Sequence, residues 1–223
     1  ELLRDLVIPT YTCPSDGNNN KGTYFAGGHV HNYVVCMGRE GVLTLGLNRA
    51  NAQNLLVNEA DTFKESQYRA MFFASCANSH ASGAYPLVTR FEDVLDGTSN
   101  TVAISETVQG VPDTGAGGID YRGHIWWGLY CFFNTNQAPN TLVPDLSTHQ
   151  FSAHVRHPID YVKTTPLTDP DSCYMRLSAR SWHVGGVNAG LADGAVRFVQ
   201  DQINLEIWQG AGSTNGSESG SLH

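Results

Sequence analysis

The sequence predicts a β-rich, loop-rich domain, and three observations carry that expectation. Charge is sparse: of 223 residues, 13 are Lys or Arg and 21 are Asp or Glu, 15% in all, against roughly 25% in an ordinary globular domain. Gly, Asn, Ser and Thr fill the place of the missing charges, as suits sheets joined by long surface loops. Near the C-terminus, Asp193-Gly194 sits between two alternating apolar runs in VNAGLADGAVRFV, a strong short-range hairpin signal because both turn residues tolerate positive φ. The net charge of −8 excludes a strongly basic nucleic-acid binder. The length suffices for a packed core without a metal or disulfide.

The elements follow in chain order. Leu6 to Thr12 alternates weakly and reads as a strand that stops at the turn-rich Cys13-Pro14-Ser15-Asp16-Gly17. Thr23 to Met37 holds two short strands, or one bent strand, around Gly27-Gly28. Asn51 to Ala70 lacks Gly and Pro and is expected to form an irregular helical excursion. Phe91 to Leu95 is a helical turn closed by Asp96-Gly97, and Thr101 to Ser105 is a strand by its alternation of Val102 and Ile104. A surface loop over 110–118 precedes a buried strand from Ile125 to Phe133. Five prolines between Asn134 and Pro170 break any regular element there, so 134–170 is a loop-rich insertion. In the hairpin, a two-residue type I′ turn would set Leu191 beside Val196 and Ala189 beside Phe198 on one face. Asp201 is the expected cap of a short amphipathic helix containing Ile203, Ile207 and Trp208, and 210–223 reads as a flexible Gly/Ser-rich tail. The whole is one domain, 1–223.

No nucleophile elbow, H-E-x-x-H, P-loop or dinucleotide fingerprint occurs, so four common catalytic constellations are excluded. His29-x-His31 would put two imidazoles on one strand face, and His154-x-x-His157 is a second pair; with nine histidines, core positions outweigh metal ligation for both. Trp126, Trp127 and Tyr130 could contribute to a sugar-stacking platform, although adjacent tryptophans on a strand face opposite ways. His183 and Asp193 could pair as a base and its orienting carboxylate, but an intervening strand rising about 3.3 Å per residue keeps them apart; Asp193 is expected to shape the turn while His183 bonds into a neighbouring loop. The five cysteines, Cys13, Cys36, Cys76, Cys131 and Cys173, form no C-x-x-C pair. They leave open one or two disulfides or five buried thiols. No run of 18 apolar residues and no apolar leader occurs in the sequence as given. Leu2, Leu3, Leu6 and Val7 sit at helix-like spacing, and the chain is expected to derive from a longer precursor.

Ser181-Trp182-His183-Val184-Gly185-Gly186-Val187-Asn188 followed by Asp193-Gly194-Ala195-Val196-Arg197-Phe198 resembles the H-x9-D-G signature of the DUF1559 family, prepilin-type processing-associated proteins abundant in planctomycete bacteria and also labelled as solute-binding proteins. Three more blocks agree: Cys13-Pro14-Ser15-Asp16, the run Asp93 to Thr101 ending at Glu106, and Trp208 followed by Asn215-Gly216-Ser217-Glu218. Two positions depart from the family pattern: Val184 stands where a proline is usual, and Cys36 where a small or polar residue is. The resemblance implies an α+β, pseudopilin-like antiparallel-sheet domain of an exported protein, with His183, Asp193 and Gly194 as its motif and the hydrophobic N-terminal helix missing from this chain. Function is then expected to be non-enzymatic, as a cell-envelope subunit, periplasmic or extracellular, that associates with itself or with other pilin-like subunits and meets the membrane only through that helix. A glycan- or solute-binding module is the alternative, and a metal-dependent hydrolase the third and weakest reading. An exported setting favours a disulfide, Cys13 with Cys36. Related pseudopilins use calcium to fix loops, which makes Asp93, Asp96 and Glu106 candidate oxygen ligands; no other cofactor is expected.

Overall fold

The computed structural model describes residues 5–17, 28–39, 43–45, 70–72, 89–110, 120–125, 130–147, 157–161, 173–215 and 222. The helical excursion expected over Asn51 to Ala70, all but its last residue, the surface loop expected over 110–118, all but its first residue, and Trp126, Trp127 and His154 lie outside the described residues. In chain order the strands are β1 (Tyr33–Cys36), β2 (Leu43–Leu45), β3 (Val102–Glu106), β4 (Phe132–Phe133), β5 (Asp145–Ser147), β6 (Ile159–Tyr161), β7 (Cys173–Met175), β8 (Gly186–Leu191) and β9 (Val196–Gln200), followed by helix α1 (Leu205–Ala211). The fold is mostly β.

Five strands form the central sheet in the order β4-β1-β3-β8-β9. Three of its four pairings are antiparallel, as expected, but β4 runs parallel to β1, with Val35 opposite Phe132 and Cys36 opposite Phe133. The sheet is therefore mixed. A parallel neighbour needs a long crossover, and the long stretch of chain between Cys36 and Phe132 supplies it. Two small pairs, β2 with β7 and β5 with β6, stand outside this sheet.

One face of the sheet makes the core. Val34, Cys36, Val102, Val187, Ala189, Leu191 and Val199 are buried together, and α1 closes over them through Trp208 and Ala211. The Trp208 ring stacks on Phe133 at 6.1 Å, and its indole N–H donates to the Gln137 carbonyl at 2.9 Å. The cap of α1 is Asn204, whose Oδ1 accepts from the Glu206 and Ile207 backbone N–H groups. Asp201, the expected cap, lies too far upstream and accepts instead from Asn140 Nδ2 at 2.8 Å.

The hairpin forms, but with a three-residue loop. Leu191 N–H donates to the Ala195 carbonyl, Gly194 N–H donates back to Leu191, and Gly194 takes φ +87°. This is a type I turn followed by a left-handed glycine, and not the type I′ pair expected. The extra loop residue slips the register by one, so Gly190 faces Val196 and Asn188 faces Phe198. Every β9 side chain thereby changes face: Val199 enters the core, while Val196 and Phe198 point to solvent.

Two further expectations are corrected. Leu6 to Thr12 contains a 3-10 turn, Pro9–Tyr11, because Pro9 presets φ for a turn and Tyr11 and Thr12 donate back to Ile8 and Pro9. Residues 210–215 are packed, not a free tail. Ser213 and Thr214 are buried, the Thr214 carbonyl accepts from Leu95 and Asp96, and Leu222 joins the core. The described part of 134–170 is tied by buried charge to Arg122 and Arg180, which lie outside the strands. Arg180 binds Asp145 at 2.7 Å, Arg122 binds Asp145 at 3.0 Å and Asp120 at 2.6 Å, and the remaining guanidinium protons reach the Thr141, Val143 and His157 carbonyls. Burial acts against charge at Asp145, but Arg180 and Arg122 outweigh it and hold its pKa below the ordinary value. No helix among the described residues is long and apolar enough to cross a membrane.

Candidate functional site

The face of the sheet opposite the core carries the only cluster, among the described residues, in which ligating side chains of three kinds converge. Glu106 ends β3, and its side chain projects from the same face as Ile104, two residues before it. Asn188, on β8, fixes it: the Asn188 backbone N–H donates to Glu106 Oε2 at 2.7 Å, and its side-chain amide lies 3.3 Å from Oε1. The loop before β8 then lays His183 over the carboxylate, with Nε2 3.1 Å from Glu106 Oε1. From the opposite side comes the turn after the first 3-10 segment, which sets Cys13 Sγ 3.4 Å from the same His183 Nε2. The sulfur, the nitrogen and the carboxylate oxygen all lie within 4.8 Å of one another.

Each contributor is held at its backbone. Cys13 N–H donates to Asn32 Oδ1 at 2.9 Å, and Asn32 is pinned by Asp16, Thr107 and Gln109. His183 N–H donates to the Ser181 hydroxyl, whose own proton goes to the Gly186 carbonyl. Tyr33 is the register partner of Glu106 on β1. Burial pushes the Tyr33 phenol up, and the charges of Glu106 and Cys13 add to it. Burial also pushes the Cys13 thiol up; hydrogen bonds from Ser15 oppose the shift and Glu106 adds to it.

The arrangement differs from a thiol–imidazole catalytic pair. Such a pair spends one ring nitrogen on the nucleophile and the other on an orienting acid, whereas here Sγ, Oε1 and the Asn188 amide all crowd Nε2.

The structure places the sequence-derived candidates as follows. His183 and Asp193 stand at opposite ends of β8, about 20 Å of strand apart at ~3.3 Å per residue. Asp193 Oδ1 accepts from Ala195 N–H within the turn, so its role is the turn itself. Cys13 and Cys36 are free thiols and do not pair: Cys13 faces His183, whereas Cys36 points into the core toward the Gly212 carbonyl, with its pKa pushed up to about 12 by burial. The proposed calcium ligands do not meet. Asp93 caps Arg90 N–H, Asp96 accepts from Ser213, and Glu106 lies at the far end of β3 from both. Tyr130 is buried against Tyr121 at 5.1 Å between ring centroids, so it offers no face to a sugar. His29 and His31 are buried, and His31 Nε2 accepts from Ile8 N–H, a core histidine's role. His157 packs edge-on against Trp182 at 4.8 Å.

Sequence reasoning did not join Cys13 and Glu106 to His183, because their separations in the chain carry no ligand spacing. A signal was nonetheless present: each belongs to a different one of the motif blocks, and the blocks meet in space. The Asp193 N–H donates to Thr98 and the Ala192 N–H to Thr101, which docks the H-x9-D-G turn on the Asp93–Thr101 block as well.

A family model described as "Protein of unknown function (DUF1559)", SBP_bac_10, matches residues 2–206. The chain belongs to the DUF1559 family. No curated protein and no solved structure matches it.

Proposed function

We propose that the chain is the globular domain of an exported, pseudopilin-like cell-envelope protein, a non-enzymatic subunit or accessory of a filament or secretion apparatus. The observation that carries this is the outward face of the sheet at its β9 edge. Val196 is 71% exposed and Phe198 51%, and Ile104, in register with Gly190 and Val196 across β8, is 41% exposed. An edge strand with unshielded apolar residues is a ready site for another chain unless it is blunted by charge, proline or a cover. Here no charged side chain of β9 other than Arg197 intervenes. A subunit that packs against neighbours needs such an edge, and the low charge elsewhere suits a wet outer surface. The glycan-binding alternative has lost Tyr130 to the interior, and no other observation favours it.

Cysteine cross-linking in cells that make the full-length protein tests the proposal. With Phe198→Cys, mild oxidation is expected to yield covalent oligomers or adducts to pilin-like subunits in the envelope fraction. Recovery of the variant only as an uncross-linked cytoplasmic monomer would overturn it.

A further inference from the structure

We propose that Cys13, Glu106 and His183 form a binding site for a divalent transition metal, with zinc the best match. The inference starts from His183 Nε2. This nitrogen has one in-plane position for a proton or a partner, yet Oε1 of Glu106 lies 3.1 Å away, Sγ of Cys13 3.4 Å and Nδ2 of Asn188 3.3 Å. A protonated Nε2 can donate to Oε1 but then faces the Asn188 amide, itself a donor, whereas an unprotonated Nε2 faces Oε1 as a second acceptor, so no single proton suits all the contacts. A cation between them satisfies all three ligands together. Zinc bonds of about 2.3 Å to sulfur and 2.0–2.2 Å to nitrogen and oxygen, at tetrahedral angles, put ligand atoms roughly 3.4–3.6 Å apart, within a few tenths of the two contacts to Nε2, and the sulfur and carboxylate oxygen lie within 4.8 Å of each other.

The donor set selects the ion. A thiol and an imidazole are poor ligands for calcium or magnesium, which take oxygen, and good ones for zinc and its neighbours. On binding, the Cys13 proton passes to solvent, so thiolate and carboxylate together carry two negative charges that a dication neutralises at a largely buried position. Glu106 is oriented for this, because the Asn188 backbone N–H occupies Oε2 at 2.7 Å and turns Oε1 toward the imidazole, with the Asn188 amide at a longer 3.3 Å. Such second partners of metal ligands fix their orientation. The His183 side chain is 28% exposed and Val184 beside it projects into solvent, which gives the ion a way in. Three protein ligands leave a fourth corner for water. The ion would clamp three segments remote in sequence: the Cys13 turn, the end of β3 and the loop before β8.

Cobalt(II) substitution of the reduced, chelator-treated full-length protein tests the site. The expected result is one equivalent bound with a near-ultraviolet thiolate-to-cobalt charge-transfer band and visible bands of tetrahedral intensity, both abolished by zinc. Cys13→Ser should remove the charge-transfer band, and His183→Gln should weaken zinc on the order of 100-fold or more, since loss of even an outer partner costs 10–100-fold. If cobalt binds the parent protein without a charge-transfer band, or does not bind, the proposal fails whether or not the variants fold. Zinc affinity unchanged in folded Cys13→Ser overturns it equally.

Discussion

His31 and Asp145 show how single buried groups govern stability here. His31 is enclosed and accepts a backbone N–H at Nε2, which requires the neutral ring. Burial lowers its pKa first, and the neighbouring His29 and His124 lower it further. The unfolded chain therefore takes up a proton near pH 6.5, where the folded protein does not. Stability from this group is complete above about pH 6.5 and falls as the pH drops from there to the lower folded value. Denaturant melts between pH 7.5 and 5.5 should show this loss, and His31→Asn should make the dependence shallower; an unaltered dependence would remove His31 as its source. Asp145 is the opposite case, a charge held ionised by two arginines at 2.7 and 3.0 Å. Asp145→Asn leaves Arg180 and Arg122 buried without that charge, and a loss of about 3–5 kcal/mol in chemical denaturation is expected.

At the scale of elements, the β8–β9 hairpin makes the sharpest demand on sequence. Gly194 at φ +87° has open space where a Cβ would stand, so strain alone decides a substitution there. Gly194→Val is expected to cost roughly 1–3 kcal/mol, and a melting temperature equal to that of the parent would contradict the turn. The register gives a second test: Val199→Ala should cost about 1–2 kcal/mol through the lost core methyls, whereas Phe198→Ala should cost well under that. The reverse ranking would restore the two-residue turn. These elements also show what was legible beforehand. The hairpin, β3 and the turn at Gly97 could be read because Asp-Gly dipeptides and two-residue alternation are local signals. The one-residue slip could not, since it depends on whether Ala192 joins the loop or the strand. The parallel β1–β4 pair and the meeting of Cys13, Glu106 and His183 depend on which distant segments pack together, and spacing along the chain does not record that.

At the scale of the whole molecule, the C-terminal segment holds the domain together, although its Gly/Ser-rich composition suggested a free tail. Trp208 covers the sheet, stacks on Phe133 and bonds Gln137, which anchors the start of the 134–147 segment. The residues after it reach back to the opposite end of the chain's middle, where Thr214 accepts from Leu95 and Asp96, and Ser213 donates to Asp96. Those bonds fix the turn that leads into β3, the strand that ends in Glu106. Truncation after Ala211 would therefore unpin that turn and uncover Cys36, whose thiol faces the Gly212 carbonyl. A disposable tail predicts a different outcome from a structural clasp. Removing residues 212–223 should abolish the cooperative thermal transition or lower it by roughly 6–12 °C, since a loss of about 3 kcal/mol shifts a domain of this size by roughly 2–4 °C per kcal/mol, and Cys36 should become alkylatable under native conditions. A truncated protein that melts like the parent with Cys36 still protected would show that the clasp contributes nothing, and that α1 alone closes the core.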